Sequence, residues 1–479
     1  MASINLRPYQ ELAIAQLDDH FRRGNRKVIL WALMGAGKTT MAAWMIQRAL
    51  DYGFPTMFVV RGRELVKNAS ETLDRYGIPH SINMAGHWRY DQKKLIQVCS
   101  VDTLKSRNNY PFKDKEPLIF LDEAHKDYSG MFEQYPDGFF IGMTGTPFTD
   151  MSAYHAYVQP IEGYELRDQG YLVPEKIYCP HIIDVSAVKI KAGDFEKKQL
   201  NSVVTNSAVV GNVVQDYITY GEYRPAVCFA VSVEHSLQLK QAFNDAGIKA
   251  VHCDAESTDK ERKAARDGIV DGSINVICNV DIFSVGWDCP SISCIILARP
   301  TWSLTWYMQA IGRGLRSHPG KSNCIILDNA GNVFRHSIPY RIREISLEKP
   351  DKRKSRKMDQ RVQTCEECFM VFDPEESDHC PSCGWMIPKK IREVKTVDGK
   401  LVQYEEGSQE LQDHRFAIMR ADYYKLEWVR KTKKLNVNWT FVQLQKKYAD
   451  VFHLLTKVTV VPPIFLIDQP KLPAPEFHL

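Results

Sequence analysis

The most explicit chemistry in this sequence lies near its amino end. Trp31-Ala32-Leu33-Met34-Gly35-Ala36-Gly37-Lys38-Thr39-Thr40 follows an apolar run, Val28 to Trp31, and leads into a helical pattern from Thr39 to Leu50. A strand, a glycine-rich turn, Lys-Thr and a helix make a cradle for a triphosphate. Small residues let backbone N–H groups curl around phosphate oxygens, and the helix N-terminus adds its partial positive charge. In such a cradle Lys38 reaches the β and γ phosphates and the Thr39 hydroxyl holds Mg²⁺, with Gly35, Ala36, Gly37 and Thr40 completing it. Ala32 stands where the strict pattern writes a glycine, a small change in a small residue. The bland alternative is a tight turn with a chance Lys-Thr.

Two adjacent acids, Asp122 and Glu123, open Asp122-Glu123-Ala124-His125 at the end of the apolar run Leu118–Leu121. Around a bound Mg²⁺–nucleotide, Asp122 acts through the metal and Glu123 orients or deprotonates the attacking water. Gly142-Met143-Thr144-Gly145-Thr146-Pro147 is a hydroxyl-rich turn that either relays the phosphate state or is simply polar. Far along the chain, Gln309-Ala310-Ile311-Gly312-Arg313-Gly314-Leu315-Arg316 continues a helical pattern from Leu304. Arg313 and Arg316 are three apart, so a helix over this stretch places both guanidinium groups on one face, suited to a phosphate across a cleft. The alternative is a pair of surface salt bridges. Ser284 to Pro290, with Gly286 and Asp288, suits a loop that senses nucleotide at one end and nucleic acid at the other.

These groups need elements to hold them. Thr56–Val60, Leu95–Cys99, Leu118–Leu121 and Phe139–Gly142 read as short buried strands, with a helical pattern from Glu64 to Tyr76 between the first two. A second series follows Pro174: strands Ala226–Ala230, Ala250–Cys253, Asn275–Cys278, Ile292–Leu297 and Cys324–Leu327, with helices over Glu234–Ala246 and Asp259–Val270. Such alternation predicts two α/β domains with parallel sheets covered on both faces, and ligands gather at the carboxyl ends of their strands. The second series has no glycine-rich Lys-Thr turn of its own. It is expected to close on a nucleotide held by the first.

The chain has 479 residues, room for about three domains. Net charge is only +4, so a nucleic-acid footprint has to be local. The start has no apolar leader, and no apolar run approaches the length of a membrane span, so a cytoplasmic location without membrane contact is expected. Of twelve cysteines, four form Cys365-Glu366-Glu367-Cys368 and Cys380-Pro381-Ser382-Cys383. Two such pairs can close a tetrahedron around a structural Zn²⁺, leaving no ligand position for water; a redox dithiol needs only one pair. Upstream, Pro350 to Lys357 is a basic linker, lying along phosphates or merely solvated. Residues from about 413 to 455 interleave Lys with aromatics, as a helical bundle's core or as stacking surfaces.

Leu6-Arg7-Pro8-Tyr9-Gln10, the phosphate loop, Asp-Glu-Ala-His, Thr-Gly-Thr-Pro, Gly286-Trp287-Asp288 and Gly-Arg-Gly-Leu-Arg, in this order, resemble the motifs of a superfamily 2 helicase with a DEAH box. Arg299-Pro300-Thr301 and Leu327 to Asn332 narrow the resemblance to bacterial RadD-type repair helicases and their phage relatives. The resemblance, over roughly residues 6–332, implies two tandem RecA-like domains, at 1–172 and 173–348; the residues beyond read as a basic linker (349–363), a small zinc-ribbon-like module of four cysteines (364–390) and a mainly helical region (391–479). It implies that Gln10 with Arg7 recognises adenine, although both could be ordinary helix-start residues. It further implies that Arg313 and Arg316 form the arginine finger, and that Arg61, Arg63, Ser100, Thr103 and Asn279 lie along the nucleic-acid path. The expected activity is an ATP-dependent DNA helicase or translocase acting in repair, recombination or replication, in a bacterial or phage-infected cytosol. The expected cofactors are ATP, Mg²⁺ and structural Zn²⁺. The expected partners are single-stranded or forked DNA, and a single-strand-binding or replication and repair protein. The alternatives are an RNA helicase, or an ATP-gated clamp that binds without unwinding.

Overall fold

A computed structural model describes residues 4–191, 193–205, 207–281, 289–348 and 362–388, together with 422, 426, 429–430 and 439–447. Residues 1–389 form one compact unit and 390–479 another. In the latter the described segment is the helix Trp439–Lys447. The basic linker, Gly286, Asp288 and most of the expected helical region lie outside the described residues.

The first domain is a seven-stranded, wholly parallel sheet. Its strands are β1 (Lys27–Trp31), β2 (Thr56–Val60), β3 (Ser81–Asn83), β4 (Ile96–Ser100), β5 (Leu118–Asp122), β6 (Phe139–Thr144) and β7 (Ala156–Val158). They lie in the order β3-β4-β2-β5-β6-β1-β7. β2 and β4 are buried at every position, as expected of strands covered on both faces. β3 and β7, three residues each, escape the sequence reading because so short a run carries no period.

The second sheet draws on three separate parts of the chain. β8 (Glu175–Tyr178) follows the first domain directly. A two-stranded hairpin, β9 (Ile190–Lys191) and β10 (Asp194–Phe195), stands apart. The sheet continues with β11 (Ala226–Phe229), β12 (Ala250–Cys253), β13 (Val276–Asn279), β14 (Cys294–Leu297) and β15 (Cys324–Leu327). It ends with β16 (Gln363–Thr364) and β17 (Met370–Phe372) from the cysteine module. The order is β12-β13-β11-β14-β15-β8-β17-β16, parallel as far as β8 and antiparallel beyond it. The module expected as a separate bead is therefore joined to the second sheet: Met370 and Val371 pair with Tyr178 and Ile177. The reason is physical. β8 would otherwise be an edge with unpaired N–H and C=O groups, and the module's hairpin covers it.

A helix over Arg313 and Arg316 does not form. The helix Leu304–Ile311 is N-capped by the Ser303 hydroxyl and ends with Gly312 as its C-cap. A β-carbon on Gly314 would lie 2.4 Å from Cys324 Sγ and 2.7 Å from Ile295 Cγ1. The chain turns there because glycine lets its backbone lie against the sheet. Both arginines leave from that turn.

Candidate nucleotide site between the two sheets

β1 ends at Trp31, and the loop after it reverses through Gly35 (φ 86°) and Gly37 (φ 77°) before the helix Lys38–Asp51 begins. Positive φ at both is why glycine is needed here. A β-carbon on Gly37 would sit 2.3 Å from Gln10 Nε2. Gln10 is buried, and both ends of its amide are committed: Oε1 accepts from Arg7 N (2.9 Å) and Nε2 donates to Ala36 O (3.0 Å). Tyr9 Oη donates to the same carbonyl at 3.0 Å. The helix Pro8–Arg22 thus braces the phosphate loop from outside. Arg7 lies 3.8 Å over the ring of Tyr171, an aromatic residue that sequence reasoning missed because no motif surrounds it.

Lys38 Nζ donates to Ala32 O (2.7 Å) and Leu33 O (3.3 Å) within its own loop. Burial pulls its pKa down, Glu123 and Asp122 push it up, and Arg316 and Arg313 oppose them. Asp122 is raised to about 6, by burial first and by Glu123 second, while Lys38 pulls it back. Burial likewise brings Arg313 down to about 10 and lowers Arg316. A buried Arg313 and half-buried Lys38 and Arg316, drawn from two domains, therefore gather near one pair of acids. A cation held away from water gains most from an anion that enters.

Glu123 is tied on both sides. His125 Nδ1 lies 3.3 Å from Glu123 Oε2 and 3.2 Å from Thr144 Oγ1, linking the acid motif to the hydroxyl-rich turn. From the second domain, Gln309 Nε2 donates to Glu123 Oε2 at 3.2 Å. Gln309 stands beside the arginine motif without an assigned role in the sequence, so its neighbourhood was the only signal.

The two domains meet closely here. A β-carbon on Gly312 would lie 2.0 Å from Met34 Cε, and one on Gly35 would lie 2.5 Å from Leu172 Cδ2. Leu172 also bridges Arg316. A void of about 20 Å³ lies between the loop and this wall. An apolar cavity of about 910 Å³ sits elsewhere in the first domain, lined among others by Phe21, Trp44 and Phe139, and contains none of these groups.

The residues suit nucleotide and Mg²⁺: Thr146 Oγ1 is buried without a hydrogen-bond partner, and the Thr39 hydroxyl and Asp122 carboxylate are oxygen donors of the kind Mg²⁺ takes. In the cysteine module the four Sγ atoms lie within 4.8 Å of one another, with Cys365–Cys383 at 3.4 Å and Cys368–Cys380 at 3.6 Å. Tetrahedral Zn–S bonds of ~2.3 Å separate sulfurs by ~3.8 Å, so the set fits zinc. Burial raises the Cys365 thiol, but N–H groups of Cys368 and Glu367 with the Cys383 thiol outweigh it, leaving about 7.

Of the residues expected along a nucleic-acid path, Arg63 is exposed and Arg61 half-buried, with Nη2 donating to Asp127 O at 2.9 Å. Ser100, Thr103 and Asn279 are buried. Thr103 Oγ1 accepts from Ala85 N, and Asn279 Nδ2 donates to Cys228 O within the sheet. Asn279 Oδ1, by contrast, is buried without a hydrogen-bond partner among the described residues. Arg299–Thr301 and Asp328–Asn332 pair with each other: Asn332 accepts from Thr301 N and donates to Arg299 O.

Residues 3–149 match the family model described as type III restriction enzyme, res subunit, and residues 211–318 match helicase conserved C-terminal domain. A 51.5 kDa protein of a Lactococcus phage is 29% identical over 363 residues, covering 73% of this chain and 76% of that protein. The putative ATP-dependent helicase IRC3 of Saccharomyces cerevisiae is 28% identical over 359 residues, covering 68% of this chain and 51% of its own length. The chain thus spans about half of that yeast relative. The fragment structure of a putative HsdR subunit of a type I restriction enzyme from Vibrio vulnificus shares the fold, with a TM-score of 0.56, 20% identity, and coverage of 69% of this chain and 65% of that one. No helix among the described residues is long and apolar enough to cross a membrane. The two family matches fall on the two parallel-sheet domains in chain order, and by them the chain carries the paired domains of superfamily 2 helicases, with phage and Irc3-type homologues.

Proposed function

We propose that this chain is an ATP-driven motor that moves along or remodels DNA. The observation that supports it most is the meeting of Gln309 with Glu123, beside Lys38, Arg313 and Arg316, across the gap between the two sheets. Nucleotide enters when Met34 and Gly312 part, its phosphates replacing the Ala32 and Leu33 carbonyls as partners of Lys38. Gly35, Ala36, Gly37 and Thr40 line the cradle; Thr39 and Asp122 hold Mg²⁺. The bound ion screens phosphate charge and orients the γ-phosphoryl group. Glu123 takes the proton of the attacking water, steadied by His125, and Arg313 and Arg316 stabilise charge developing in the transition state. Arg7, Gln10 and Tyr171 form the base end of the site. The zinc module, domains at 1–172 and 173–348, and Arg61 and Arg63 on the nucleic-acid side complete this reading. DNA is favoured over RNA on the strength of the RadD-like words at Arg299–Thr301 and Leu327–Asn332, and a repair or replication role rests on the same resemblance.

The test is the ATPase rate without nucleic acid and with single-stranded DNA, forked DNA or RNA, followed by strand displacement on the fork. DNA should stimulate hydrolysis. Lys38→Ala should abolish it, and Glu123→Gln should lower kcat by about 10²–10⁴-fold with nucleotide binding retained. Stimulation by RNA alone would move the substrate to RNA. ATP-dependent DNA binding without displacement or translocation would make the chain a clamp.

A further inference from the structure

Between β8 and the helix Ser207–Tyr220 the chain makes an excursion that belongs to neither family match. It contains the hairpin β9–β10 and the helix Lys197–Val204. The excursion has its own small core of Val185, Val188, Phe195, Leu200 and Val204, packed against Val231 and Trp302. Its hairpin register is set by Asp194 opposite Lys191 and Phe195 opposite Ile190.

The excursion is bolted across the carboxyl ends of three strands of the second sheet. Past β14, Asp194 accepts from Thr301 Oγ1 (3.0 Å), Trp302 N (2.6 Å) and Arg299 Nη2 (3.1 Å). Past β13, Lys197 Nζ donates to Asp281 (3.2 Å). Past β11, Asn201 Nδ2 donates to Glu234 (2.9 Å) and its Oδ1 accepts from Ser232 Oγ. Phe195 meets the Trp302 ring edge-on at 6.0 Å between centroids. Three anchors and a small core hold this element to the second sheet.

Its outer side is a different matter. Lys189, Lys191 and Lys198 are exposed, and Ile190, between the first two, keeps 51% of its surface in water. Of the nearby acids, Asp194 makes the contacts above, and Glu196 accepts from the N–H groups of Lys198 and Gln199 while its charge also faces Lys191 and Lys198. An anchored two-stranded tip whose exposed lysines flank one exposed apolar residue along the chain offers a nucleic-acid strand ammonium groups for phosphates and, on the alternate face, an aliphatic wedge for a base.

We propose that Lys189, Ile190, Lys191 and Lys198 form a nucleic-acid contact, in which the three lysines grip phosphates and Ile190 abuts a base. This rests on the motor reading only for the class of polymer. The contact lies on the side of the second sheet where its strands end, so a strand held there passes over β11, β13 and β14.

The test uses the full chain with a fluorescein-labelled oligothymidylate and the matching oligouridylate, titrated over a salt series. Relative to wild type, the Lys189→Ala/Lys191→Ala/Lys198→Ala variant should bind at least about tenfold more weakly at low salt, and the slope of log K against log salt should fall by about 2, for three single-strand phosphates. The corresponding triple arginine variant should restore both. On wild-type protein, photocrosslinking to a thiothymidine-bearing strand should mark peptides within 189–198. A triple alanine variant that melts like wild type and binds both strands with wild-type affinity and slope would overturn the contact, leaving the motor reading intact. Absence of the crosslink from a bound strand would do the same, even if the triple variant failed to fold. Wild-type protein that binds neither strand would overturn both.

Discussion

At the residue scale, Glu123 is the focus. It has φ 51°, a left-handed backbone conformation unusual for a side chain of its size. The cost, of order 1 kcal/mol, is met by fixed partners: its N–H donates to Asp122 Oδ1 (3.0 Å), and His125 and Gln309 hold its carboxylate. The turn brings the two acids to bear on one point instead of alternating across a strand. At the other end of the site, the Arg7 guanidinium lies 3.8 Å over the Tyr171 ring, and Tyr171 lies 5.7 Å from Tyr9 between ring centroids. A purine has the flat shape to stack on the same ring. Tyr171→Ala is expected to raise KM for ATP by about tenfold, a loss of ~1.4 kcal/mol of binding, with kcat little changed. Steady-state kinetics with ATP and GTP check it, and the two nucleotides should become less distinct.

At the scale of elements, the segment joining the two domains does more than connect them. Leu172 packs on Gly35 and bridges Arg316, Val173 N donates to Leu315 O, and Tyr340 Oη donates to Val173 O. The phosphate loop, the connection and the arginine turn are thereby one contact chain. A few residues further, the connection becomes β8, which carries β17 of the cysteine module. Tyr178 stacks on Tyr220 at 5.1 Å, close to the module. Metal removal should therefore be felt in the sheet. With chelator, or in Cys380→Ser, zinc content should drop from one per chain, and amide exchange should speed up at Ile177, Tyr178 and Met370–Phe372. Hydrogen exchange read by mass spectrometry checks it, and the β11–β13 amides should stay protected.

At the scale of the molecule, stability should have a definite acid limb. His235 is wholly buried in the second domain, and burial holds its pKa down to about 4. An unfolded histidine takes its proton near pH 6.5. Above that pH neither state is protonated and the site costs nothing. As pH falls from about 6.5 towards 4, the unfolded chain alone gains a proton, and stability is lost by up to ~3 kcal/mol. Urea midpoints measured between pH 7 and pH 4 should fall, and His235→Gln should flatten this part of the curve while lowering the plateau. The closed approach of Met34 to Gly312 belongs to the same scale: in the proposed motor, opening and shutting of the two sheets would admit and grip a nucleotide.

Much of this was written in the chain. Strand, glycine turn and Lys-Thr are local chemistry, and local chemistry is legible: the phosphate loop formed where the residues said it would, within a residue of the expected helix start. Strands buried on both faces were legible for the same reason, as unbroken apolar runs such as Met57–Val60. The four cysteines announced their own cluster by spacing. What the sequence could not decide was anything that depends on a distant partner. Gly312 and Gly314 end a helix that periodicity alone would have continued through Arg316, because the reason for the turn is the Cys324 and Ile295 side chains behind it. Gln309, Tyr171 and Asp194 have no motif, and each acquires its role from a residue more than a hundred positions away. Short pieces such as β8 and β17 become strands because distant partners pair with them: β15 on one side of β8, and β8 itself beside β17. Local composition determined the cradle and the two sheets; the tertiary structure decided which side chains meet across them, because contact over long separations is set by packing and not by neighbours in the chain.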